Sequence, residues 1–148
     1  MSTTVGDLLR IKGTKVETIA ASETILDAIR RMGEKHIGCL AVTTKAGKLS
    51  GILSERDCLW KVVAKGLSPK ARLVKDAMTP LRQVRAVTPE QTVEECMGMM
   101  TQRHHRHLPV VVDGKLEGLI SIGDVVKHEI DSKEATIQSL EKYITGTF

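Results

Sequence analysis

Aromatic residues are nearly missing from this chain: Trp60, Tyr143 and Phe148 are the only three in 148 residues. Proteins that hold single-stranded nucleic acid stack bases on aromatic faces, so that class of partner is disfavoured. The core must be aliphatic and Met-rich instead. Cysteine is scarce and odd in number, with Cys39, Cys58 and Cys96 forming no CxxC pair. Each sits in an apolar pattern, which reads as a buried reduced thiol rather than a disulfide or a metal ligand. No five like charges run together, so the net charge of +4 does not come from a polybasic tail. An excess this small serves solubility and helps attract a phosphorylated small molecule. No apolar run reaches membrane-spanning length, and the leading MSTTVGDLLRIKG has no signal-peptide core. The expectation is a soluble cytoplasmic protein, with an organelle matrix left open.

What is present is a repeat. Residues 16–57 align with 84–124 with one gap at Ala46, and Val16, Thr24, Met32, His36, Leu40, Val42, Gly47, Lys48, Leu49, Gly51, Ser54 and Asp57 meet the identical residue in the second copy. Internal repetition fixes architecture before any single residue does. A unit of about fifty residues is marginal alone, so each copy needs the other to bury its apolar face. Two such units pack about a pseudo-twofold axis, leaving two related clefts between them.

Each copy reads as strand, helix, strand, strand, helix. In copy one, Val16 to Ile19 is extended, and the Ser22–Thr24 stretch offers a helix cap. Ile25, Ala28, Ile29 and Met32 then form a helical stripe. Residues 38–42 and 49–53 form a hairpin around Gly47, and Ser54 opens the next helix. Copy two repeats this with the stripe Val93, Cys96, Met97 and Met100, the hairpin 108–112 and 116–120 around Asp113-Gly114, and Ser121 as the cap. The fold class expected is α+β, two βαββα repeats with hairpin sheets packed against helices. The segments are a lead-in 1–15, repeat one 16–66, a linker 67–83 holding a short helical turn at 73–78, repeat two 84–131, and a C-terminal helix 132–148. In that helix Ile137, Leu140 and Ile144 recur at helical spacing, which suits either docking on its own domain or a dimer contact.

No nucleophile–base pair or acid set suggests an enzyme. His104, His105 and His107 crowd together, but Arg103 and Arg106 lie between and beside them and oppose a cation. A basic pocket for an anion suits the same residues better. The stronger signal is the pair G-I-L-S-E-R-D (51–57) and G-L-I-S-I-G-D (118–124). Ser and Asp at a helix N-terminus are ordinary caps when met once. Met twice at one place in a repeat, they suggest a carboxylate that accepts hydrogen bonds from the vicinal hydroxyls of a ribose.

These paired motifs, with HLPVVV at 107–112, SERD at 54–57 and DAMT at 76–79, resemble a tandem cystathionine-β-synthase (CBS) domain pair, or Bateman module, of the small stand-alone kind. The resemblance covers about Val5 to Asp131. It implies a regulatory module binding adenosine-containing ligands: AMP foremost, then NAD or ATP, with ADP and S-adenosylmethionine in the same class. Carried over, one site joins Ser54 and Asp57 to Thr79, Val84, His105 and Arg106. The other joins Ser121 and Asp124 to Lys12, Glu17, Ile37 and Gly38. Phosphate falls first to Arg56 and Arg106 and next to His105. Copy two has Gly123 where copy one has Arg56, and copy one has Ile37-Gly38 where copy two has His105-Arg106. Glycine cannot replace a bidentate arginine, so the two sites are expected to be unequal. The alternative is a ligand-independent dimeric interaction scaffold. A homodimer is expected in either case, with an unidentified regulated protein as partner, no membrane and no catalytic cofactor.

Overall fold

Thr24 and Thr92 hold equivalent places and act alike, their hydroxyls accepting the N–H of Asp27 and of Glu95, each at 3.1 Å. They cap α2 (Ile25–Lys35) and α5 (Val93–Arg103) in a computed structural model that describes residues 3–103 and 105–145. The apolar stripes fall where expected at Ile25, Ala28 and Met32, and at Val93, Cys96 and Met100, all buried. Ile29 and Met97 lie at the margins of these stripes: Ile29 only packs against its core, and Met97 is exposed.

Each stripe rests on a hairpin. In the first, β2 (Cys39–Thr43) pairs antiparallel with β3 (Leu49–Ser54); in the second, β5 (His107–Val112) pairs with β6 (Lys115–Ser121). The inward positions Leu40, Val42 and Leu53 have the counterparts Leu108, Val110 and Ile120, and all six are fully buried. Both ladders shift register at the same place, after Val42 and after Val110. The gap in the repeat lies in the turns. Asp113 and Gly114 both take positive φ (50° and 79°), the two-residue turn that matches strand twist. The first hairpin spends one residue more, and Thr44 N–H donates to the Lys48 carbonyl at 2.9 Å.

The repeat extends further than the sequence alignment suggested. A short helix α4 (Val74–Ala77) packs Val74 and Ala77 into the core of copy one. Its equivalent is α1 (Val5–Lys12), whose Val5, Leu8 and Leu9 lie in the core of copy two. Val5 N–H donates to Gln91 O and Val93 N–H to Thr3 O; Val74 N–H donates to Glu23 O and Ile25 N–H to Arg72 O. The stretch expected to lead in is thus a fixed part of the second core.

The stretch expected to link also joins a sheet. Beyond α4, β4 (Thr79–Pro80) pairs with β3, through Gly51↔Pro80 and Ile52↔Thr79. With β1 (Thr18–Ile19) parallel to β2, the first sheet has the order β1-β2-β3-β4, while the second is the β5–β6 hairpin with a single parallel bridge from Val87 to Val110. Cys39, Ala41, Leu49 and Ile52 on the outer face of the first hairpin meet Val111, Leu116 and Leu119 of the second. Lys48 bridges to Lys115, its own counterpart. Equivalent residues that touch each other lie on the symmetry element, so the pseudo-twofold axis passes between them.

After β3, α3 (Glu55–Cys58) runs on as a π-helical segment, Leu59–Val63. After β6, α6 is one helix from Ile122 to Thr145. The break expected at residue 131 does not occur, because no Gly or Pro stands between Gly123 and Gly146 to end the helix. Its second half is not docked on the repeats, with Ile137 and Leu140 more than half exposed at 53% and 56%. No helix among the described residues is long and apolar enough to cross a membrane.

Candidate functional site

Ser54 and Asp57 cap α3 reciprocally. Asp57 N–H donates to Ser54 Oγ at 3.1 Å, and Ser54 N–H donates to Asp57 Oδ2 at 2.9 Å. Ser121 and Asp124 repeat this on α6 at 3.1 and 2.8 Å. The motif pair is therefore first a pair of capping boxes, which the repeat positions identically. One further hydrogen bond ties each helix start to the opening of its hairpin: Glu55 N–H to Gly38 O at 2.9 Å, and Ile122 N–H to Arg106 O at 2.8 Å.

Between the repeats lies a cavity of about 500 Å³. Copy one supplies Gly38, Ile52 and residues 54–57, the following segment supplies Thr79, and copy two supplies Val84, Arg85, residues 105–107 and residues 121–123. The volume falls in the range usual for a small-molecule site. Every residue of the first expected set lines it, namely Ser54, Asp57, Thr79, Val84, His105 and Arg106, and so does Arg56, the phosphate candidate that the sequence assigned to neither site. Arg56, Arg85 and Arg106 face two acids, Glu55 and Asp57, so the lining carries an excess of guanidinium groups suited to anionic oxygens.

The second expected set is dispersed. Ser121 and Gly38 line the same central cleft as the first set. Ile37 lines a separate cavity of about 540 Å³ on the flank of copy one, with Met32, Cys58 and Leu59. The Glu17 carboxylate faces Lys15 and Lys35 at 3.8 and 4.0 Å. Lys12 does reach Asp124, as an ion pair at 2.5 Å. The family resemblance nominates these residues together, and the structure places only Lys12 against Asp124.

Arg85, His107, Glu55, Ile52, Ile122 and Gly123 also line the cleft and were in neither expected set. Arg85 aligns with Glu17, so the register that nominated Glu17 for one site could have nominated Arg85 for the other. His107 aligns with Cys39 at the same step of the ladder, opposite Ser121 as Cys39 is opposite Ser54. Burial, with the Lys12 ammonium adding to it, pushes the His107 pKa below its ordinary value. A neutral imidazole is thereby favoured at the cleft wall. Burial alone would raise Asp124, but the hydrogen bonds from Lys12 and Ser121 outweigh it and hold the carboxyl below its usual range.

Of the histidine cluster, His104 lies outside the described residues. Among those described, no group of three His, Cys, Asp or Glu side chains is placed to hold a metal ion. The three thiols are buried, and burial pushes Cys39 to about 12 and Cys58 and Cys96 to about 11.

Comparison with known proteins agrees with this architecture. The family model "CBS domain" matches twice, over residues 3–64 and 74–131, so each match includes the short helix ahead of its repeat. The mitochondrial CBS domain-containing protein CBSX3 of Arabidopsis thaliana is 36% identical over 99% of this chain and 74% of its own length. Another Arabidopsis thaliana CBS domain-containing protein, 34% identical, is much longer, and the match spans only 21% of it. A putative signal-transduction protein with CBS domains from Burkholderia ambifaria superposes with a TM-score of 0.81 at 44% identity, over 87% of this chain and 95% of its own. The structure of CBSX2 in complex with AMP superposes with a TM-score of 0.71 at 28% identity, over 88% and 98%. With two family matches that together span most of its length, the chain belongs to the CBS domain family and consists of two CBS domains in tandem.

Proposed function

We propose that this chain is a non-catalytic, ligand-sensing regulatory module that binds one adenine nucleotide in the central cleft, AMP in preference to NAD or ATP. The observation that carries the reading is the convergence of Ser54, Asp57 and Thr79 with Arg56, Arg85 and Arg106 around one cavity. A ribose needs an acceptor for its hydroxyls, and Asp57 offers its remaining lone pairs. A phosphate needs guanidinium groups, and three are present. Adenine needs apolar walls, and Ile52 and Val84 supply them. The AMP complex of a structural neighbour supports the same class of ligand.

Calorimetry with AMP, NAD and ATP tests it. AMP should bind, and Asp57→Asn should weaken binding by about 10- to 100-fold, the worth of losing hydrogen bonds to a charged acceptor. Absence of heat and of thermal shift with all three ligands would refute the reading.

A dimeric scaffold is the second reading, favoured by the large apolar side chains that α6 leaves exposed beyond its first turn: Val126, Ile130, Ile137, Leu140 and Ile144. They follow the alternating four- and three-residue spacing of a coiled-coil seam, with Lys133 the one polar member. A homodimer sharing this seam is compatible with ligand sensing, and a partner protein would then read the change in occupancy. Light scattering decides it: a dimer that ignores every nucleotide supports the scaffold alone. Three buried, reduced cysteines suit the cytoplasm or an organelle matrix.

A further inference from the structure

The two motif aspartates differ in what reaches them. Asp57 lines the cleft; its Oδ2 accepts Ser54 N–H, and Lys61, one turn further along the chain, approaches Oδ1 at 3.0 Å. Asp124 is not part of the cleft lining. Its Oδ2 accepts Ser121 N–H at 2.8 Å and Lys12 Nζ at 2.5 Å, and Lys12 Nζ also donates to the Leu119 carbonyl at 2.6 Å. A carboxylate oxygen has two lone pairs, so the protein itself saturates Oδ2. The lysine that does so comes from the far end of α1, 112 residues away.

The cause lies in how the two short helices end. In α4 the chain leaves the helix at Met78, because Pro80 cannot continue it and forces Thr79 to be extended. β4 then crosses Gly51 and brings Thr79 into the cleft. The corresponding residues of α1 are Arg10 and Ile11, which allow one more turn. Leu9 takes the space over Gly118, its Cδ2 lying 2.6 Å from where a Cβ would stand, and the added turn delivers Lys12 to Asp124.

We propose that Lys12 is an internal latch on the second motif carboxylate, so that the chain takes one adenine nucleotide, at Asp57, instead of two. This rests on the nucleotide reading of the cleft, and the test separates the two. Calorimetric titration of the full chain with AMP should give one site in the wild type and one in Asp124→Asn. Lys12→Met and Lys12→Gln should each gain a second site, and that gain should vanish in the double variant Lys12→Met, Asp124→Asn. Two sites in the wild type, one of them lost in Asp124→Asn, would overturn the latch and leave the nucleotide reading intact. A single site in both folded Lys12 variants would do the same. No binding in any variant would overturn the nucleotide reading and the latch with it.

Discussion

Replacing Gly51 and, separately, Gly118 by alanine adds the same methyl group at equivalent places in two hairpins, and the costs should differ. At Gly51 the new Cβ would overlap the carbonyl oxygen of Thr79 and stand 3.2 Å from Met78 Sδ. The obstacle is backbone, which cannot rotate aside, so β4 must move off β3. Overpacking costs about 1–3 kcal/mol, and each lost ladder hydrogen bond adds about 1 kcal/mol, giving about 2–4 kcal/mol in all. At Gly118 the methyl would meet Leu9 Cδ2 and Cδ1 at 2.6 and 3.0 Å. That obstacle is the end of a side chain which can change rotamer within the core, so the lower end of the overpacking range applies, about 1 kcal/mol. Urea unfolding measures the difference. With a slope of about 1–3 kcal/mol per molar, a gap of about 2 kcal/mol separates the two midpoints by roughly 1 M. Gly51→Ala should also weaken AMP binding, since Thr79 moves with β4. Equal midpoints, or a lower one for Gly118→Ala, would show that β4 does not confine Gly51 as described.

His107 should impose a pH dependence on stability. Its folded pKa lies below the ordinary value of about 6.5 because burial and Lys12 outweigh Asp124 and Glu55. The unfolded chain then binds the proton more readily, so this contribution is complete above about pH 6.5 and is lost as pH falls through the folded pKa. Thermal melts between pH 5 and 8 should show a shallower slope in His107→Gln than in the wild type, and identical slopes would contradict the assignment. The raised thiols give a third expectation: Ellman's reagent should label Cys39, Cys58 and Cys96 in the native protein only at the rate of unfolding, and a thiol that reacts within seconds would refute its burial.

The legible part of the fold was what hydrophobic period and turn chemistry encode locally. Leu40, Val42 and Met32 recur as Leu108, Val110 and Met100 because both copies need the same core volume, and the gap at Ala46 marked a longer turn. The path of the flanking segments was not legible. Nothing local in Val5–Lys12 says that it packs on the second copy, since that depends on contacts some ninety residues away, such as Val5 N–H to Gln91 O. The similarity between TTVGDLL and RLVKDAM would have revealed it, as each places an aspartate at the third helical position. The residues nominated for the first set line one cavity, whereas those of the second lie apart, because α1 runs on where Pro80 ends the path of α4 and nothing local in the sequence shows where that added turn goes.

Function as a sensor requires more than a pocket, because a ligand shifts a conformational equilibrium only through its different affinity for the two states. On the nucleotide reading proposed above, the cleft would meet this condition by its composition. Ser54, Arg56 and Asp57 come from copy one, whereas Arg85, His105 and Arg106 come from copy two. A nucleotide with ribose on Asp57 and phosphate on Arg106 makes both contacts only when the two hairpins stand at the right separation. The apolar layer between them holds Cys39, Ala41, Leu49 and Ile52, all buried, with Val16, Val84, Val111, Leu116 and Leu119 partly buried against them. At a ligand concentration one hundred times its dissociation constant, binding adds about 2.7 kcal/mol to the arrangement that fits it. That is comparable to burying one large aliphatic side chain, about 1.5–3 kcal/mol. Adenosine, which lacks the phosphate and need not engage Arg106, should bind more weakly and stabilise the paired hairpins less than AMP at equal occupancy.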